Sequence, residues 1–421
     1  MKRSGAARGP QILKTMALPL FVVALNILII LFPKQCMAAA REGLSLWFQN
    51  VLPSLLPFII GTNLMTSLGV VHFLGVLLEP VMRPIFGVPG CGGYGLAVGL
   101  LSGYPMGAKV TAQLCEREDI KHTEGQRLLA FANNSGPLFV LGAVASGMFG
   151  SPAAGYFLLT VHYLGALLIG LLFRSFGRKA EPPAPPRPIS PGSGSIWRKA
   201  YRSLLAAKHR DTRSLGAKLG DSVVRAMETI LMIGGFIILF CVLVHILELL
   251  NVFTALSFLL EPVFRLLHIP AGLLPGLLTG AIEMTNGLHV LSQSGANKGT
   301  LVAAATIISW GGFSIHAQAL SFLGKTELKA GFYLLAKLLH SILSAILGWA
   351  LFPLFSGLIS RGEAVPAFAA MGPGVWSKMA YAVSYYTIMM LGILLLGIVI
   401  LVAGRILTMR RLRRYDKRGW R

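Results

Sequence analysis

LLEPVMRPIFGVPGCGGYGLAVGLLSGYPMG, residues 77–107, returns in diverged form in the second half of the chain. LLEPVMR at 77–83 is matched by LLEPVFR at 259–265, an offset of 182. GLLSG at 99–103 is matched by GLLTG at 276–280, offset 177. Further out, NNSGP at 133–137 falls opposite SWGGF at 309–313, and GYFLL at 155–159 opposite GFYLL at 331–335, both at offset 176. Four matches in one order with little drift mean a duplicated half. So long a period is no solenoid repeat, and in an apolar chain it marks a transporter-like architecture.

Composition places that duplication in a membrane. Hydrophobic residues make up 54% of the 421 and charged residues 13%, against about 25% charge in soluble domains. Mean hydropathy is +0.69, and apolar runs long enough to span about 30 Å of hydrocarbon recur. Cys36, Cys91, Cys115 and Cys241 show neither disulfide-framework nor metal-ligand spacing. The net charge of +22 suggests nucleic acid until its distribution is read. Residues 1–14 hold 4 Lys/Arg, 174–225 hold 12 and 405–421 hold 8, so 24 of 38 flank apolar spans. That is the positive-inside pattern with attraction to anionic lipid. No nucleic-acid-binding module is visible.

The chain divides into five parts. Residues 1–43 are a basic leader and an apolar stretch (16–32) that reads as a retained anchor, although Ala38-Ala39-Ala40 imitates a signal-peptidase site. Residues 44–173 are the first repeat. Residues 174–221, with PPAPPRP and PGSGS before a basic run, read as a mobile cytoplasmic linker unable to bury a core. Residues 222–356 are the second repeat. Residues 357–421 are a polar loop, a last span near 381–404 and a basic tail. Leader, linker and tail are the Lys/Arg-rich segments, so all three belong on the cytoplasmic side. With one helix before the repeats and one after, each half crosses an odd number of times. The halves are therefore expected in opposite topology.

Within each repeat the apolar spans are interrupted at corresponding places. Ser102, Gly103, Tyr104, Pro105, Gly107 and Lys109 form the first interruption, opposite Glu283, Thr285 and Asn286. Asn133, Asn134, Ser135 and Gly136 form the second, opposite Ser309, Trp310, Gly311, Gly312 and Ser314. Broken backbone at membrane depth survives only where it lines a cavity or is covered by protein. Half-helix N-termini there offer free N–H groups and a positive dipole end to an anion. Paired breaks in related halves point to a transporter's binding site. The competing reading is plain packing: membrane-helix glycines permit close approach, and Ser or Asn bond a neighbouring helix.

Intramembrane charge narrows the site. Glu283 is either a proton or cation site, or a structural partner for Lys109 or a backbone amide. Lys109 either attracts an anionic substrate or snorkels to the interface. Glu79/Arg83 and Glu261/Arg265 have intrahelical ion-pair spacing and look architectural. Lys337 is expected to face the protein interior, and His316 and Gln318 to line the same cavity as the breaks. HExxH, GxSxG and Walker A motifs do not occur, so no catalytic residue, cofactor or metal is assigned.

LLEPVMRPIFGVPGCGGYGLAVGLLSGYPMGAKVTAQL (77–114) and GQRLLAFANNSGPLFVLGAVASGMFG (125–150) resemble the YlbJ family of sporulation integral membrane proteins, also called stage V sporulation protein SpoVV. The halves also look like Gate (nucleoside-recognition) domains, related in architecture to concentrative nucleoside carriers and the ferrous-iron permease core. The resemblance implies a role in endospore-forming bacteria, at the outer forespore membrane, in moving dipicolinic acid from mother cell toward forespore. The residues themselves indicate only a polar or anionic solute.

The expectation is an all-α polytopic membrane protein of two inverted repeats with Gly/Pro-broken helices, plus flanking transmembrane helices. Its partners would be a small anionic substrate and the lipid bilayer, with a homo-oligomer or spore-assembly partners left open. The alternatives are a non-transporting membrane scaffold, an intramembrane enzyme, or a carrier of another solute such as a nucleoside.

Overall fold

The computed structural model describes residues 8–177 and 195–360. The start of the basic leader, the Pro-rich part of the linker, most of the 357–378 loop, the last span near 381–404 and the tail lie outside the described residues. Among the described residues every regular element is helical. Hydrocarbon supplies no partners for N–H and C=O, so each segment satisfies its backbone internally.

Helix α1 (Arg8–Leu31) leads to α2 (Pro33–Leu46), where Pro33 opens the new helix and the chain bends by 104°. A π-type turn, Trp47–Val51, joins α2 to α3 (Leu52–Ser67) with helical dihedrals at both junctions. Pro53 has no N–H to donate backwards, and the helix widens there rather than ending. Residues 33–67 are thus one continuous run. After Gly69, which has φ +81°, come α4 (Val70–Phe86), α5 (Cys91–Ser102), α6 (Met106–Glu116) and α7 (His122–Ala132). A π-type helix, Leu138–Met148, and α8 (Pro152–Leu172) complete the first half. Helix α9 (Ile196–Arg210) lies between the halves.

The second half repeats this order. It comprises α10 (Leu215–Leu249), α11 (Val252–Leu266), α12 (Leu274–Ile282), α13 (Met284–Ser292), α14 (Lys298–Trp310), α15 (Gly312–Leu323) and α16 (Ala330–Ser360). Pro33 and Ser67 stand 182 residues before Leu215 and Leu249, the offset already seen for LLEPV. The correspondence therefore reaches back to Pro33, before the first repeat's expected start at 44. Helices α8, α10, α14–α15 and α16 are long and apolar enough to cross a bilayer.

Packing between counterparts settles how the halves are related. Cys36 clusters with Val242 and Ile246, Gly43 lies against Ile238 and Cys241, Trp47 Nε1 donates to Ile230 O at 3.0 Å, and Asn63 Nδ2 to Ser222 O at 3.2 Å. Rising numbers in one run meet falling numbers in its counterpart. The same holds for α8 and α16: ring pairs Phe173–Phe332, His162–His340 and Phe157–Phe352 have centroids 4.7, 4.9 and 5.7 Å apart. Counterparts that pack antiparallel are related by a dyad perpendicular to their axes. For spanning helices that dyad lies in the membrane plane, so the repeats are inverted. The halves also exchange equivalent contacts: α6 packs on α15, and α13 on the Leu138–Met148 helix.

The duplicated ion pairs are architectural. Glu79 bonds Arg83 and also accepts the Gly90 amide at the α4–α5 turn, while Glu261 Oε1 takes Arg265 Nη2 at 2.6 Å. Part of the expected linker is ordered, a correction to the composition argument. Trp197, Ala200, Leu204 and Ala207 recur at helical spacing along α9. Ala200 is fully buried, Trp197 meets the Phe73 ring of α4 at 6.3 Å, and Ala207 and Leu204 sit over Gly69.

The antiparallel pairing of 33–67 with α10 is directly testable. A Cβ added at Gly43 would stand 3.2 Å from the Cys241 Cβ, close to the separation of bridged cysteines. Gly43→Cys should form a disulfide with Cys241 on mild oxidation, detected as a cross-linked peptide by mass spectrometry. A parallel arrangement of the two runs would leave the substituted position far from Cys241 and give no bridge.

Candidate functional site

The helices break where backbone chemistry demands it. Gly103 has φ +82° and ψ −171°, a conformation closed to L side chains, and Pro105 brings no N–H. Helix α5 ends there and α6 begins at Met106. Opposite, the chain between α12 and α13 is extended at the single residue Glu283. In the second pair of breaks, Asn133 is extended after α7, while Gly311, between α14 and α15, and Gly312, the first residue of α15, have φ +92° and +77°.

The breaks meet one another. A Cβ on Gly103 would strike Gly136 N at 2.6 Å, and one on Gly312 would come 3.0 Å from Ile282 O. In each half, the first break therefore lies on the second. Tyr104 Oη donates to Ile308 O at 3.0 Å, joining the first half's break to the second half's α14. Trp310 Nε1 donates to Ala281 O at 3.0 Å. Helix α5 reaches this crossing only because Gly99 lets it pass the Ala132 carbonyl, which a Cβ would approach to 1.7 Å.

A buried polar network locks the crossing. Lys337 Nζ, fully buried on α16, donates to Asn133 O at 2.7 Å and reaches His340 Nδ1 at 3.3 Å. His340 Nε2 lies 2.9 Å from the His162 carbonyl, to which it donates. His162 Nε2 accepts the Ser135 amide at 3.0 Å, which places the ring proton on Nδ1, facing Ser309 Oγ at 2.8 Å. Ser309 continues to Ser344 at 2.8 Å. Asn133 Nδ2 donates to Tyr333 Oη at 2.8 Å, and Tyr333 Oη stands 3.3 Å from His316 Nδ1. Extended backbone of the first half is thus held by side chains of the second.

Beside this network lies a cavity of about 750 Å³. Ser102, Gly103, Tyr104, Ser135 and Gly136 line it from the first half; Glu283, Thr285 and Gln318 line it from the second. Phe139, Ile233 and Ile237 supply apolar wall, and Gln49 and Pro53 a further edge. Gln318 is fully buried, its Nε2 bonds Ser314 Oγ at 3.3 Å, and its Oε1 has no partner among the described residues. The assignment of amide O and N is conventional, so the unpartnered end of this buried amide is either its oxygen or its nitrogen. Asn134 Oδ1 and His316 Nε2 are likewise buried without partners among the described residues. A mostly apolar chamber with a few convergent polar groups is the usual form of a small-molecule site.

Of the residues expected at the site, Ser102, Gly103, Tyr104, Ser135, Gly136, Glu283 and Thr285 line this cavity. Pro105, Gly107, Asn133, Asn134, Asn286, Ser309, Trp310, Gly311, Gly312 and Ser314 are not among its lining residues. Several of them hold the breaks together. Lys109 is turned elsewhere: its Nζ donates to Thr229 Oγ1 of α10 at 2.6 Å. Glu283 does not pair with Lys109; its carboxylate accepts the Asn286 amide at 2.8 Å and caps α13. The Asn133 side chain likewise occupies the α6 N-terminus, accepting the Ala108 amide at 3.3 Å. Two of the four half-helix N-termini are therefore filled from within. The other two, at Leu138–Met148 and α15, carry no side-chain cap from any described residue, and Gly136, Leu138, Ile315 and Gln318 turn those ends toward the cavity.

His162, His340, Tyr333 and Ser344 were not anticipated. A readable signal existed: Tyr333, Lys337, His340, Ser341 and Ser344 fall on one face of an apolar helix.

The Gate family, described as nucleoside recognition, matches residues 48–151, a stretch that includes both breaks of the first half. The chain is also 39% identical to the sporulation integral membrane protein YlbJ of Bacillus subtilis (strain 168) over 338 residues, 79% of this chain and 82% of that protein. The chain belongs to the YlbJ family. With its apolar spans, it is a polytopic all-α integral membrane protein of a sporulation family. The shared length covers the greater part of this chain, so the YlbJ likeness does not rest on the Gate segment alone.

The tight crossing carries its own test. Gly99→Ala would place a methyl group against the Ala132 carbonyl, whereas a Cβ at Gly142 meets nothing within 4 Å. Thermal unfolding in detergent should show Gly99→Ala destabilised by about 1–3 kcal/mol or more, and Gly142→Ala within about 0.5 kcal/mol of the parent. Equal melting of the two variants would contradict the close approach of α5 to the α7 break.

Proposed function

We propose that this protein is a carrier, not an enzyme, that moves a small anionic solute, with dipicolinate the first candidate, from mother cell toward forespore across the outer forespore membrane. One observation carries the reading: broken helices of two inverted halves converge on one chamber lined from both sides. Rocking of one half against the other would expose such a chamber alternately to the two faces. The volume suits a compact solute, the Tyr104 and Phe139 rings suit a flat aromatic one, and the uncapped half-helix N-termini suit carboxylates. Membership of the YlbJ family supports the sporulation setting.

Glu283 is the coupling group in this proposal. An ionised carboxylate shares the chamber with the arriving anion. At about 5 Å and an effective dielectric constant near 20, their repulsion is about 3 kcal/mol. A proton taken up by Glu283 as the anion binds removes that cost, so proton and solute travel together. The scaffold alternative remains distinguishable, but only by a deletion that spares α9. Loss of 180–215 would remove a helix packed on α4 and so damage the fold itself.

The test is uptake of labelled dipicolinate into liposomes containing the purified protein, with and without an imposed pH gradient. Uptake should require the protein and be accelerated by the gradient. Glu283→Gln, which can still cap α13 through its amide oxygen, should retain uptake down a dipicolinate gradient and lose the pH acceleration. Absence of uptake by folded, inserted protein would sink the dipicolinate carrier; pH acceleration surviving in Glu283→Gln would remove Glu283 from coupling.

A further inference from the structure

A second concavity, of about 280 Å³, lies where the ends of α3, α6 and α9 converge on the start of α10. Its two carboxylates are already engaged. Arg213 bonds both: its Nη2 is 2.8 Å from Asp211 Oδ2, and its Nη1 binds Asp221. Lys218 Nζ donates to the Asp211 carbonyl at 3.1 Å and lies 3.8 Å from Asp211 Oδ2. Hydrogen bonds from Arg213 hold the Asp211 carboxyl well below the ordinary carboxylate range, so this clamp stays ionised. Arg117, Arg210 and Arg225 remain. All three line the same space, and none forms a side-chain hydrogen bond or ion pair with any described residue. Asn63, Gln113 and His72 stand beside them. Three uncompensated guanidinium groups around one hollow are arranged for an anion, because each presents a fork of donors matched to carboxylate or phosphate.

Helix α10 connects this hollow to the central cavity. Arg225, Thr229, Ile233 and Ile237 recur every four residues, on one face of the helix. Arg225 lines the outer hollow, Thr229 holds the Lys109 ammonium, and Ile233 and Ile237 line the central cavity. At 1.5 Å per residue, Arg225 and Ile233 are about 12 Å apart along the axis. Lys109, buried midway and in no ion pair among the described residues, is a cation placed between the two chambers.

We infer that the outer hollow is the capture site for the carrier's anionic substrate, which passes along α10 and by Lys109 into the central cavity. Its occupant carries carboxylate groups, and it opens on the basic, α9-bearing side of the membrane. The inference rests on the carrier reading of the central cavity, and its tests are separable from those of that reading. Outward-facing cations raise the local concentration of an anion and its on-rate about 10–10³-fold, whereas the turnover step is set elsewhere.

The experiment compares full-length protein with an Arg117→Gln/Arg210→Gln/Arg225→Gln variant and with a charge-matched control, Lys34→Gln/Arg41→Gln/Lys325→Gln. The control residues are exposed and line neither chamber. Dipicolinate uptake is measured across a range of ionic strength in phosphatidylcholine liposomes with and without phosphatidylglycerol, and equilibrium dialysis of labelled dipicolinate is run on the detergent-solubilised proteins. The triple arginine variant should raise KM about tenfold with maximal rate within about twofold of the parent. It should also lose most of the salt dependence of KM, while the control leaves both unchanged. Unchanged KM and salt dependence in the arginine variant would overturn the capture site. So would an arginine effect that appears only when phosphatidylglycerol is present, which would make the occupant a lipid phosphate. If the parent binds dipicolinate but does not transport it, the carrier reading fails, and the capture site stands only if the arginine variant binds about tenfold more weakly. If the parent neither binds nor transports it, both fail.

Discussion

A lysine amino group sealed inside a membrane protein must be given acceptors for its N–H bonds by the protein, and Lys337 takes its first from the Asn133 carbonyl. That carbonyl is available only because the chain is extended there; in a helix it would already be bonded four residues on. The break supplies what the buried amino group lacks, and the amino group satisfies what the break exposes. Neither is tolerable alone at this depth. Because Lys337 belongs to the second half and Asn133 to the first, this one bond also fixes the halves to each other. His340, His162, Ser309 and Ser344 extend the same logic, each passing its remaining donor or acceptor to a neighbour. Such a chain is worth having only if nearly every member is satisfied.

The inverted arrangement lets two short, broken segments from each half share the middle of the structure. It does not make the halves chemically equal. The first break spends three residues, Gly103 to Pro105, and its counterpart only Glu283. One half brings Lys109 and the other brings Glu283, and they do not meet: each is held by its own partner, Thr229 or the α13 amide. Duplication supplies the scaffold, and divergence supplies a chamber with a carboxylate on one wall and hydroxyls on the other. A strictly symmetric site would treat both membrane faces alike.

Much of this was legible in the chain. The LLEPV and GYFLL matches gave two halves, charge parity gave their inversion, and glycine with proline gave the breaks. What periodicity could not give was the direction of side chains next to a break. Lys109 lies within the first turn of α6, and that phase turns it to α10 rather than into the cavity. Glu283 is in the cavity, but its carboxylate is occupied by an amide of its own helix. The polar face of α16 was hidden by its average: one lysine and one histidine hardly lower the apolarity of so long a span. Helix α9 was hidden by its surroundings, where arginines and nearby prolines outweigh four well-spaced apolar positions.

On the proposed carrier reading, the distribution of charge along the path matches what such a protein would need. Among the described residues, no lysine or arginine lines the central cavity. A fixed cation there would hold a carboxylate by about 4 kcal/mol at about 4 Å and an effective dielectric constant near 20, and an anion held that tightly would be released slowly on either side. Uncapped helix ends offer a partial charge of about +0.5 instead, enough to orient a carboxylate without trapping it. In the proposed path, full cationic charge is kept at the outer hollow and at Lys109, where the anion would still have water or a next station ahead of it. In the proposed carrier Glu283 would act in the opposite sense: charged, it would disfavour the anion, and protonated, it would admit it. Attraction outside and conditional repulsion within would give such a chamber an occupancy that follows the proton.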